Sequence, residues 1–306
     1  MLFIANPVAG GGRARRLWPR HAAALLAAGI EPRIHWTQAA GDGSAAVAEA
    51  WARGERRFVA VGGDGTVNEA LNGLAEAFGT PTTTTPWLAV LPAGTGNDWF
   101  RQLQLPRDPV QWARHLASAA ERPHDVGRLR FPDGRTHYFV VECGAGFDTH
   151  VLALLSRRGP RQLAYVIALL RGLFTFSGPA LDLALYGAAG PNEDLRLGSP
   201  RSMVAFGAIG PWTGGGMHIA PGARDDDGLL DFVTVRDGGP WYNLLRLPML
   251  FNGRLHQDPN VMSARARGAV LTLSPPMGVQ CDGQVVGTTP VRIDILPGAL
   301  RVPGMA

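Results

Sequence analysis

The sequence contains no lysine, only two cysteines and no long apolar run. All 29 basic residues are therefore arginine, and any phosphate contact from a basic side chain must come from a planar guanidinium. Cys143 and Cys281 are far apart and form no CxxC pair, which argues against a zinc site or a disulfide scaffold. The apolar run at 163–170 is too short to span a bilayer. The sequence predicts a protein of the reducing cytoplasm, peripheral at most at the inner membrane face.

Motifs of several other enzyme classes are also missing. There is no GxSxG, no HExxH, no Walker GK[ST] and no intact GxGxxG after a strand. The formal net charge of +4 suits anionic ligands or an anionic membrane surface. The sequence lacks a run of arginines and a basic stripe interleaved with aromatic residues, the patterns that would indicate binding to nucleic acid. The sequence therefore predicts a partner other than DNA or RNA.

The segment GGDGT at 62–66 lies between the apolar run at 58–61 and the helix-like stretch VNEALNGLAEAF. Its glycines allow positive φ and remove every Cβ, so that backbone N–H groups can face a ligand, and a helix beginning near Val67 adds its positive dipole end. Asp64 would repel a bare phosphate, and it is better suited to a metal, a metal-bound water or a hydroxyl proton. The segment predicts a phosphate loop with a catalytic aspartate, with an ordinary tight βα turn as the alternative.

Strand and helix patterns alternate through residues 1–125. Strands are expected at 2–5, 32–37, 58–61 and 87–91. With helices between them, this alternation predicts a mostly parallel, doubly wound α/β domain that binds the nucleotide. The glycine-bearing loops all follow strands, at the edge where such sheets bind ligands. We expect these loops, at 10–12, 62–65 and 94–96, to converge on one cleft.

The pattern changes after Asp125. From 126 to 297 short apolar or alternating runs, separated by glycine, proline and aspartate, predict an antiparallel, β-sandwich-like domain. The tail from about 298 to 306 is expected to return to the first domain. Helical patterns interrupt the strands at 160–176 and 241–251. The predicted fold class is thus α/β plus β, in two domains, and the pattern gives no oligomeric state and leaves a homodimer open.

The helical pattern at 160–176 has two interpretations. Arg161 and Arg171 could meet lipid head groups, and the apolar positions recur at helical spacing. These positions are Leu163, Val166, Ile167, Leu170, Leu173 and Phe174. The helix is therefore either a lip that touches a membrane or a core helix packed on the β domain. Solvent exposure of Ile167 and Phe174 would distinguish the two.

Five segments together carry a family resemblance. They are NPVAGGG at 6–12, GGDGTVNEALNG at 62–73, LPAGTGNDW at 91–99, DDDGLLDFV at 225–233 and CDGQ at 281–284. In order and spacing the chain resembles the diacylglycerol kinase catalytic-domain family, above all its soluble bacterial lipid kinases. The resemblance implies transfer of the γ-phosphate of ATP, with Mg²⁺, to a hydroxyl of diacylglycerol or a related lipid. A catalytically silent nucleotide- or lipid-binding protein and a soluble kinase similar to NAD kinases are the alternatives.

The resemblance also implies roles for individual residues. Arg13 or Arg16 would reach the phosphates, Asp125 would complete a metal–water network with Asp64 and Asp98, and Asp227 would bind a separate structural magnesium. Without the family, Asp125 could equally be a turn residue and 225–227 a solvated loop. The residues implied to surround the nucleotide are Asn6, Gly10, Gly11, Gly12, Arg13, Arg16, Gly62, Gly63, Asp64, Gly65, Thr66, Gly94, Thr95, Asn97 and Asp98.

One position departs from the family pattern. The DG dipeptide near the end of the second domain is normally followed by glutamate, which is taken to accept the proton of the acceptor hydroxyl, whereas this chain has Gln284. A glutamine cannot take a proton at neutral pH. Three alternatives follow: Asp282, Asp64 or Asp98 is the base, positioning and magnesium alone suffice, or the site binds without catalysing. Because phosphoryl transfer through a loose transition state depends little on a strong base, the sequence favours retained kinase activity.

Overall fold

A computed structural model describes residues 1–79, 84–154, 161–189 and 194–305. Within the predicted helix at 160–176, Pro160 and the side chains of Arg161, Leu163 and Val166 lie outside the description. The main sheet of the described chain has 15 strands and runs through both halves of the molecule. A separate two-stranded ribbon completes the β structure of these residues.

The first half is a parallel sheet covered by helices. Its strands, in the order β2-β1-β3-β4, are β1 (Leu2–Ala5), β2 (Arg33–Trp36), β3 (Arg57–Gly62) and β4 (Trp87–Pro92). Nearly all residues of β3 and β4 are buried, as expected for strands with helices on both faces. The predicted α/β domain is confirmed. Its helices are α1 (Ala9–Ala27), α2 (Asp42–Ala52), α3 (Asp64–Asn72), α4 (Ala75–Gly79), α5 (Asp98–Leu103) and α6 (Pro109–Ser118).

The helix after GGDGT differs from the prediction of one helix starting near Val67. It begins three residues earlier, at Asp64, and Gly73 separates α3 from α4. A Cβ on Gly73 would lie 2.6 Å from the carbonyl oxygen of Ser44 and 2.7 Å from the Cβ of Val47. The helix is therefore interrupted where α2 packs against it too closely for any side chain.

The second half is antiparallel β structure, as predicted. Its strands are β5 (Glu121–Arg130), β6 (Thr136–Phe139), β7 (Glu142–Gly146), β8 (Ala180–Ala188), β9 (Asp194–Ser199), β10 (Ser202–Ala208), β11 (Trp212–Thr213), β12 (Met217–His218), β13 (Leu230–Arg236), β14 (Val261–Ser274), β15 (Gly278–Cys281), β16 (Gln284–Thr288) and β17 (Val291–Pro303). The helices are α7 (Phe147–Leu154), α8 (Arg161–Thr175) and α9 (Pro240–Arg246), with 3-10 turns at Leu247–Leu250 and Leu255–Gln257. The helix predicted at 241–251 is thus split, because Pro248 cannot donate the hydrogen bond that would continue α9.

Strands β5 and β17 run as a pair through both halves. Their register shifts between Leu296 and Leu300, and the end of β17 also lies parallel to β4, with Arg301 opposite Trp87. The domain boundary expected after Asp125 falls inside β5, because this strand pairs with β17 on both sides of that residue. The two halves are therefore joined by strand pairing on both sides of the register shift rather than by a linker.

Strand β7 has two different faces. Cys143 and Ala145 are buried in the hydrophobic core of the β half, so the alternation of a strand turns Glu142 and Gly144 toward α7. A Cβ on Gly144 would lie 3.1 Å from Asp148 Oδ2 of that helix. Cys281 on β15 lies directly opposite Cys143 in the register, and both thiols are free.

Candidate active site

The GGDGT segment forms the tight connection between β3 and α3. None of Gly62, Gly63 and Gly65 has a positive φ, so the fold uses these glycines for their missing side chains. A Cβ on Gly62 would lie 2.1 Å from Thr66 Oγ1, and a Cβ on Gly94 would lie 2.4 Å from the Cα of Gly63. The expectation of positive φ is wrong for this loop. The expected close approach of the backbone is what the loop requires.

The loop after β1 turns at three successive glycines. Residues 10–12 have φ values of 56°, 69° and 82°, a left-handed run that other L residues rarely adopt. Before them, Asn6 Oδ1 accepts a hydrogen bond from the N–H of Val8 at 3.0 Å. A Cβ on Gly10 would lie 2.2 Å from the carbonyl oxygen of Ala93. This loop therefore packs directly on the segment that follows β4.

The GTGND segment after β4 completes the group. Asn97 is left-handed, with φ 54°, and its side-chain amide closes the turn by exchanging hydrogen bonds with the backbone of Gly94 at 3.2 and 2.9 Å. A Cβ on Gly96 would lie 2.8 Å from Asp64 Oδ2 and 3.7 Å from Asp98 Oδ2. Both carboxylates therefore flank Gly96. The three loops converge as predicted, and we call residues 10–12, 62–66 and 94–98 the glycine cleft.

Asp64 is the carboxylate of the glycine cleft with the weaker protein contacts. The N–H of Trp99 donates to Asp64 Oδ1 at 3.4 Å. Burial, and then the charge of Asp98, raise the pKa of Asp64 above its ordinary value, although backbone N–H groups of α5 oppose the shift. A carboxylate in this state is stabilised by a nearby cation. The surroundings of Asp64 therefore fit a magnesium ion.

Asp98 is held by the protein itself. Its Oδ1 forms an ion pair with Arg101, and its Oδ2 accepts a hydrogen bond from the N–H of Gly215 at 2.7 Å. Gly215 lies in the glycine turn between β11 and β12, so Asp98 connects the first half to a turn of the second. This arrangement fits a positioning role better than direct metal binding.

Four predicted side chains differ in accessibility. Arg13 and Arg16 are exposed on the turn of α1 that follows residues 10–12, and Thr95 is also exposed, whereas Thr66 is buried. The two guanidinium groups are thus accessible beside the glycine cleft. Their contact with phosphate stays a prediction.

Asp282 is a fully engaged, buried carboxylate. It lies in the turn between β15 and β16 with φ 47°, and burial raises its pKa to about 6. Each carboxylate oxygen accepts two hydrogen bonds, at 3.0 to 3.2 Å. The four donors are Asn68 Nδ2 and the backbone N–H groups of Val140, Val141 and Glu142. With its acceptor positions filled, Asp282 fits the role of a structural tie and not that of a base.

Gln284 is the residue of this turn that reaches the glycine cleft. Its Nε2 donates to the carbonyl oxygen of Gly65 at 3.4 Å, and a Cβ on Gly65 would lie 2.9 Å from the same nitrogen. Asn68 of α3 holds the neighbouring Asp282, so the helix that begins with GGDGT also fixes the turn that carries Gln284. We call β15, β16 and their turn the Gln284 hairpin.

Glu142 is a buried carboxyl that the sequence analysis did not single out. Its Oε1 accepts hydrogen bonds from Thr213 Oγ1 at 2.9 Å and from Gln280 Nε2 at 2.7 Å, and burial raises its pKa to about 8. Thr213 begins the turn that reaches Asp98, and Gln280 accepts from the N–H of Gly283 at 3.1 Å. Glu142 therefore connects the turn between β11 and β12, which contacts Asp98, with the Gln284 hairpin. The signal was an acidic residue ending the apolar run FVVE.

The other two predicted metal ligands line a separate cavity of about 630 Å³. Asp125 accepts hydrogen bonds from the N–H groups of Gly228 and Gly298, each at 2.7 Å. Asp227 is ion-paired with Arg265, which already supplies a cation there. Over the described ranges, no cluster of three or more His, Cys, Asp or Glu is arranged to hold a metal. The metal-binding roles of these two residues, and the link from Asp125 to Asp64, stay predictions.

Two family models together match almost the whole chain. The model described as the diacylglycerol kinase catalytic domain matches residues 1–129. The model described as the YegS C-terminal NAD kinase beta sandwich-like domain matches residues 140–304. They meet within the region of β5 and β6, where the strand pattern changes from parallel to antiparallel.

Individual relatives match over similar lengths. A diacylglycerol kinase of Mycobacterium tuberculosis is 32% identical over 303 residues, covering 98% of this chain and 93% of the relative. A diacylglycerol kinase of Bacillus subtilis is 28% identical, with 94% and 90% covered. A solved structure of a diacylglycerol kinase from Bacillus anthracis superimposes with a TM-score of 0.71 at 22% identity, covering 99% of this chain and 96% of the other. That structure supports the fold.

Proposed function

The chain belongs to the diacylglycerol kinase catalytic domain family and is a phosphotransferase, and from this membership we propose that it transfers the γ-phosphate of ATP to a hydroxyl of diacylglycerol or a related lipid. The observation that carries the proposal is the contact between the glycine cleft and the Gln284 hairpin. Phosphoryl transfer needs a phosphate site and an acceptor site next to each other. This contact is where the two halves supply them.

The glycine cleft supplies the donor side. The missing side chains at residues 10–12, 94 and 96 leave room for the phosphates beside the amino end of α3, whose dipole favours negative charge. Arg13 and Arg16 are exposed beside them and can pair with phosphate oxygens through the guanidinium. Magnesium held at Asp64 would offset the charge of the β- and γ-phosphates. Asp98 holds the turn between β11 and β12 beside the cleft, through its hydrogen bond with Gly215.

The Gln284 hairpin supplies the acceptor side. The amide of Gln284 can orient a lipid hydroxyl by hydrogen bonding, but it cannot remove the proton. Asp282, with its oxygens engaged by four donors, holds the hairpin in position. Because the acceptor proton contributes little in a loose transition state, transfer proceeds by alignment of the hydroxyl with the γ-phosphate. We therefore expect an active enzyme whose rate is only modestly lowered by the missing carboxylate.

The proposal is tested by an acceptor screen with labelled ATP, magnesium and a membrane lipid extract. The expected result is a labelled phospholipid with the wild-type protein and none with Asp64→Asn. NAD in place of the extract tests a water-soluble acceptor. Label in NAD and not in lipid would contradict the proposal, and so would ATP binding without transfer to any lipid.

A further inference from the structure

Helix α8 has one buried face and one exposed apolar face. Ala168 and Leu173 are buried, and a Cβ on Gly172 would lie 3.0 Å from the ring of Phe147, so this side packs closely on α7. On the opposite side Ile167 is 49% exposed and Phe174 is 53% exposed. The buried face is thus a packed face of the core, and membrane contact through the exposed face stays a prediction.

The exposed face of α8 has helical spacing. Ile167, Leu170, Arg171 and Phe174 follow the i, i+3, i+4, i+7 pattern, which places them on one side of a helix. All four are exposed. The apolar positions therefore form a continuous stripe, with one guanidinium within it.

Helix α9 extends this stripe across the surface. Trp241 and Leu245, one helical turn apart, are 68% and 77% exposed. The rings of Phe174 and Trp241 contact each other edge to face, with centroids 5.3 Å apart. We call Ile167, Leu170, Phe174, Trp241 and Leu245 the apolar ridge. Contiguous exposed apolar side chains of this kind mark an interaction surface, unlike single scattered ones.

One carboxylate beside α9 is paired with an arginine, and another is held by hydrogen bonds. Neither α8 nor α9 contains an acidic residue. Asp258 is buried, paired with Arg246 and hydrogen-bonded by the hydroxyl of Tyr242. Asp237 accepts hydrogen bonds from the backbone of Gly239 and from Asn243, each at 2.9 Å. The apolar ridge therefore presents apolar side chains with Arg171 beside them, and this combination complements an anionic lipid surface.

We propose that the apolar ridge docks the enzyme on an anionic lipid bilayer, with Trp241, Leu245 and Phe174 inserted at the level of the head groups. The proposal rests on the proposed lipid kinase function, since it explains how a water-insoluble acceptor is reached. Interfacial helices bind by buried apolar area together with attraction between basic side chains and anionic lipid. Tryptophan is favoured at this depth because its ring is apolar and its N–H stays hydrated.

The ridge is also connected to the reaction site. Helix α8 packs on α7, and α7 follows β7 directly, where Glu142 donates its N–H to Asp282 of the Gln284 hairpin. Helix α8 of the ridge is therefore linked, through α7 and β7, to the Gln284 hairpin that forms the proposed acceptor side. None of the helices in the described part of the chain combines the length and apolar character needed to cross a bilayer, and contact through the ridge requires no such helix.

Vesicle sedimentation without ATP tests the docking. Wild-type protein is mixed with vesicles of phosphatidylcholine alone or with one third phosphatidylglycerol, as is the double variant Trp241→Gln, Leu245→Gln. We expect binding to the anionic vesicles, reduced about tenfold or more in the double variant. Arg171→Gln is expected to weaken binding about fivefold, and Leu26→Gln, an exposed site on α1, is the matched control. Thermal unfolding of each variant confirms that the fold is retained.

Three results would overturn the proposal. One is equal binding of wild-type and double variant. The second is equal binding to neutral and anionic vesicles. The third is a doubling of mass in sedimentation velocity that the double variant abolishes, which would assign the ridge to a second copy of the chain. Because these measurements need no phosphate transfer, binding without labelled lipid in the acceptor screen would contradict the proposed function and leave the docking surface standing.

Discussion

Asp64 and Asp282 lie on opposite sides of the contact between the glycine cleft and the Gln284 hairpin, and their carboxylates have very different surroundings. Asp64 accepts hydrogen bonds from backbone N–H groups at the start of α5, that of Trp99 at 3.4 Å, and lies near the negative charge of Asp98. Asp282 accepts four hydrogen bonds at 3.0 to 3.2 Å. The proposed magnesium site thus lies on one side of the contact, and a carboxylate that ties backbone segments together lies on the other. Residue type alone does not separate these roles.

The largest effect is expected at Asp64. Asp64→Asn should lower kcat about a thousandfold or more, because the neutral amide lacks the negative charge that would hold magnesium beside the phosphates. Its stability should be unchanged or higher, since burial penalises the charged carboxylate. Turnover with labelled ATP and urea unfolding measure the two effects. Asp182→Asn, at an exposed position of β8, is the control, and near-normal turnover of Asp64→Asn would remove Asp64 from the site.

The corresponding change on the hairpin side should act on stability. Asp282→Asn replaces an acceptor of four hydrogen bonds by a group with one acceptor oxygen, leaving buried backbone N–H groups unpaired. We expect the free energy of unfolding to fall by about 3 kcal/mol, measured in urea. Asp133→Asn, in the exposed turn between β5 and β6, is the control. If Asp282→Asn unfolds like the wild type but has lost activity, Asp282 is a catalytic residue and the comparison fails.

The buried Glu142 gives the comparison a pH dependence. The folded state raises the pKa of Glu142 from 4.5 to about 8, so in this interval it keeps a proton that the unfolded chain has lost. The free energy of unfolding should therefore fall as pH rises. Glu142→Gln should remove this contribution, so that its stability relative to wild type rises by about 1 kcal/mol per pH unit.

Unfolding of Glu142→Gln is best measured between pH 6.5 and 8, above the pKa of about 6 that burial gives to both Asp148 and Asp282. Glu31→Gln, an exposed position, should give a flat difference from wild type. An equally flat difference for Glu142→Gln would show that Glu142 is ionised in the folded protein at neutral pH.

The smallest effect is expected at Gln284. Gln284→Glu introduces a carboxylate that can accept the hydroxyl proton, and we expect kcat to rise about tenfold or less with the KM for ATP unchanged. The gain is limited because the loose transition state needs little base and the new carboxylate must turn away from the carbonyl oxygen of Gly65. A rate equal to or below wild type would show that the missing carboxylate does not limit transfer.

The glycine cleft was predictable because its cause is visible in the sequence. Each missing Cβ is a glycine in the sequence, and the strand before each loop places that loop at one edge of a parallel sheet. The partners of Asp282 and Glu142 could not be predicted in the same way. They depend on the register between β7 and β15, strands more than 130 residues apart. A one-residue change of that register would turn both side chains to other neighbours.

The ridge shows the same limit on the surface. Periodicity identified the helix at 160–176, but a single segment could not show which face is covered. That depends on α7, and on α9 from a distant part of the chain. The return of the tail at 298–306 to the first half was expected, but its pairing with β4 was not, since that pairing rests on one register pair, Arg301 with Trp87.

The paired strands β5 and β17 have a mechanical consequence. Because β5 and β17 pair on both sides of their register shift, the halves are not joined by a flexible linker. We expect any rotation of one half against the other to twist these two strands at the register shift between Leu296 and Leu300, where their pairing is interrupted. Asp125 accepts hydrogen bonds from Gly298 and Gly228 beside that shift. We therefore expect Asp125 to resist rotation between the halves from a position outside the glycine cleft.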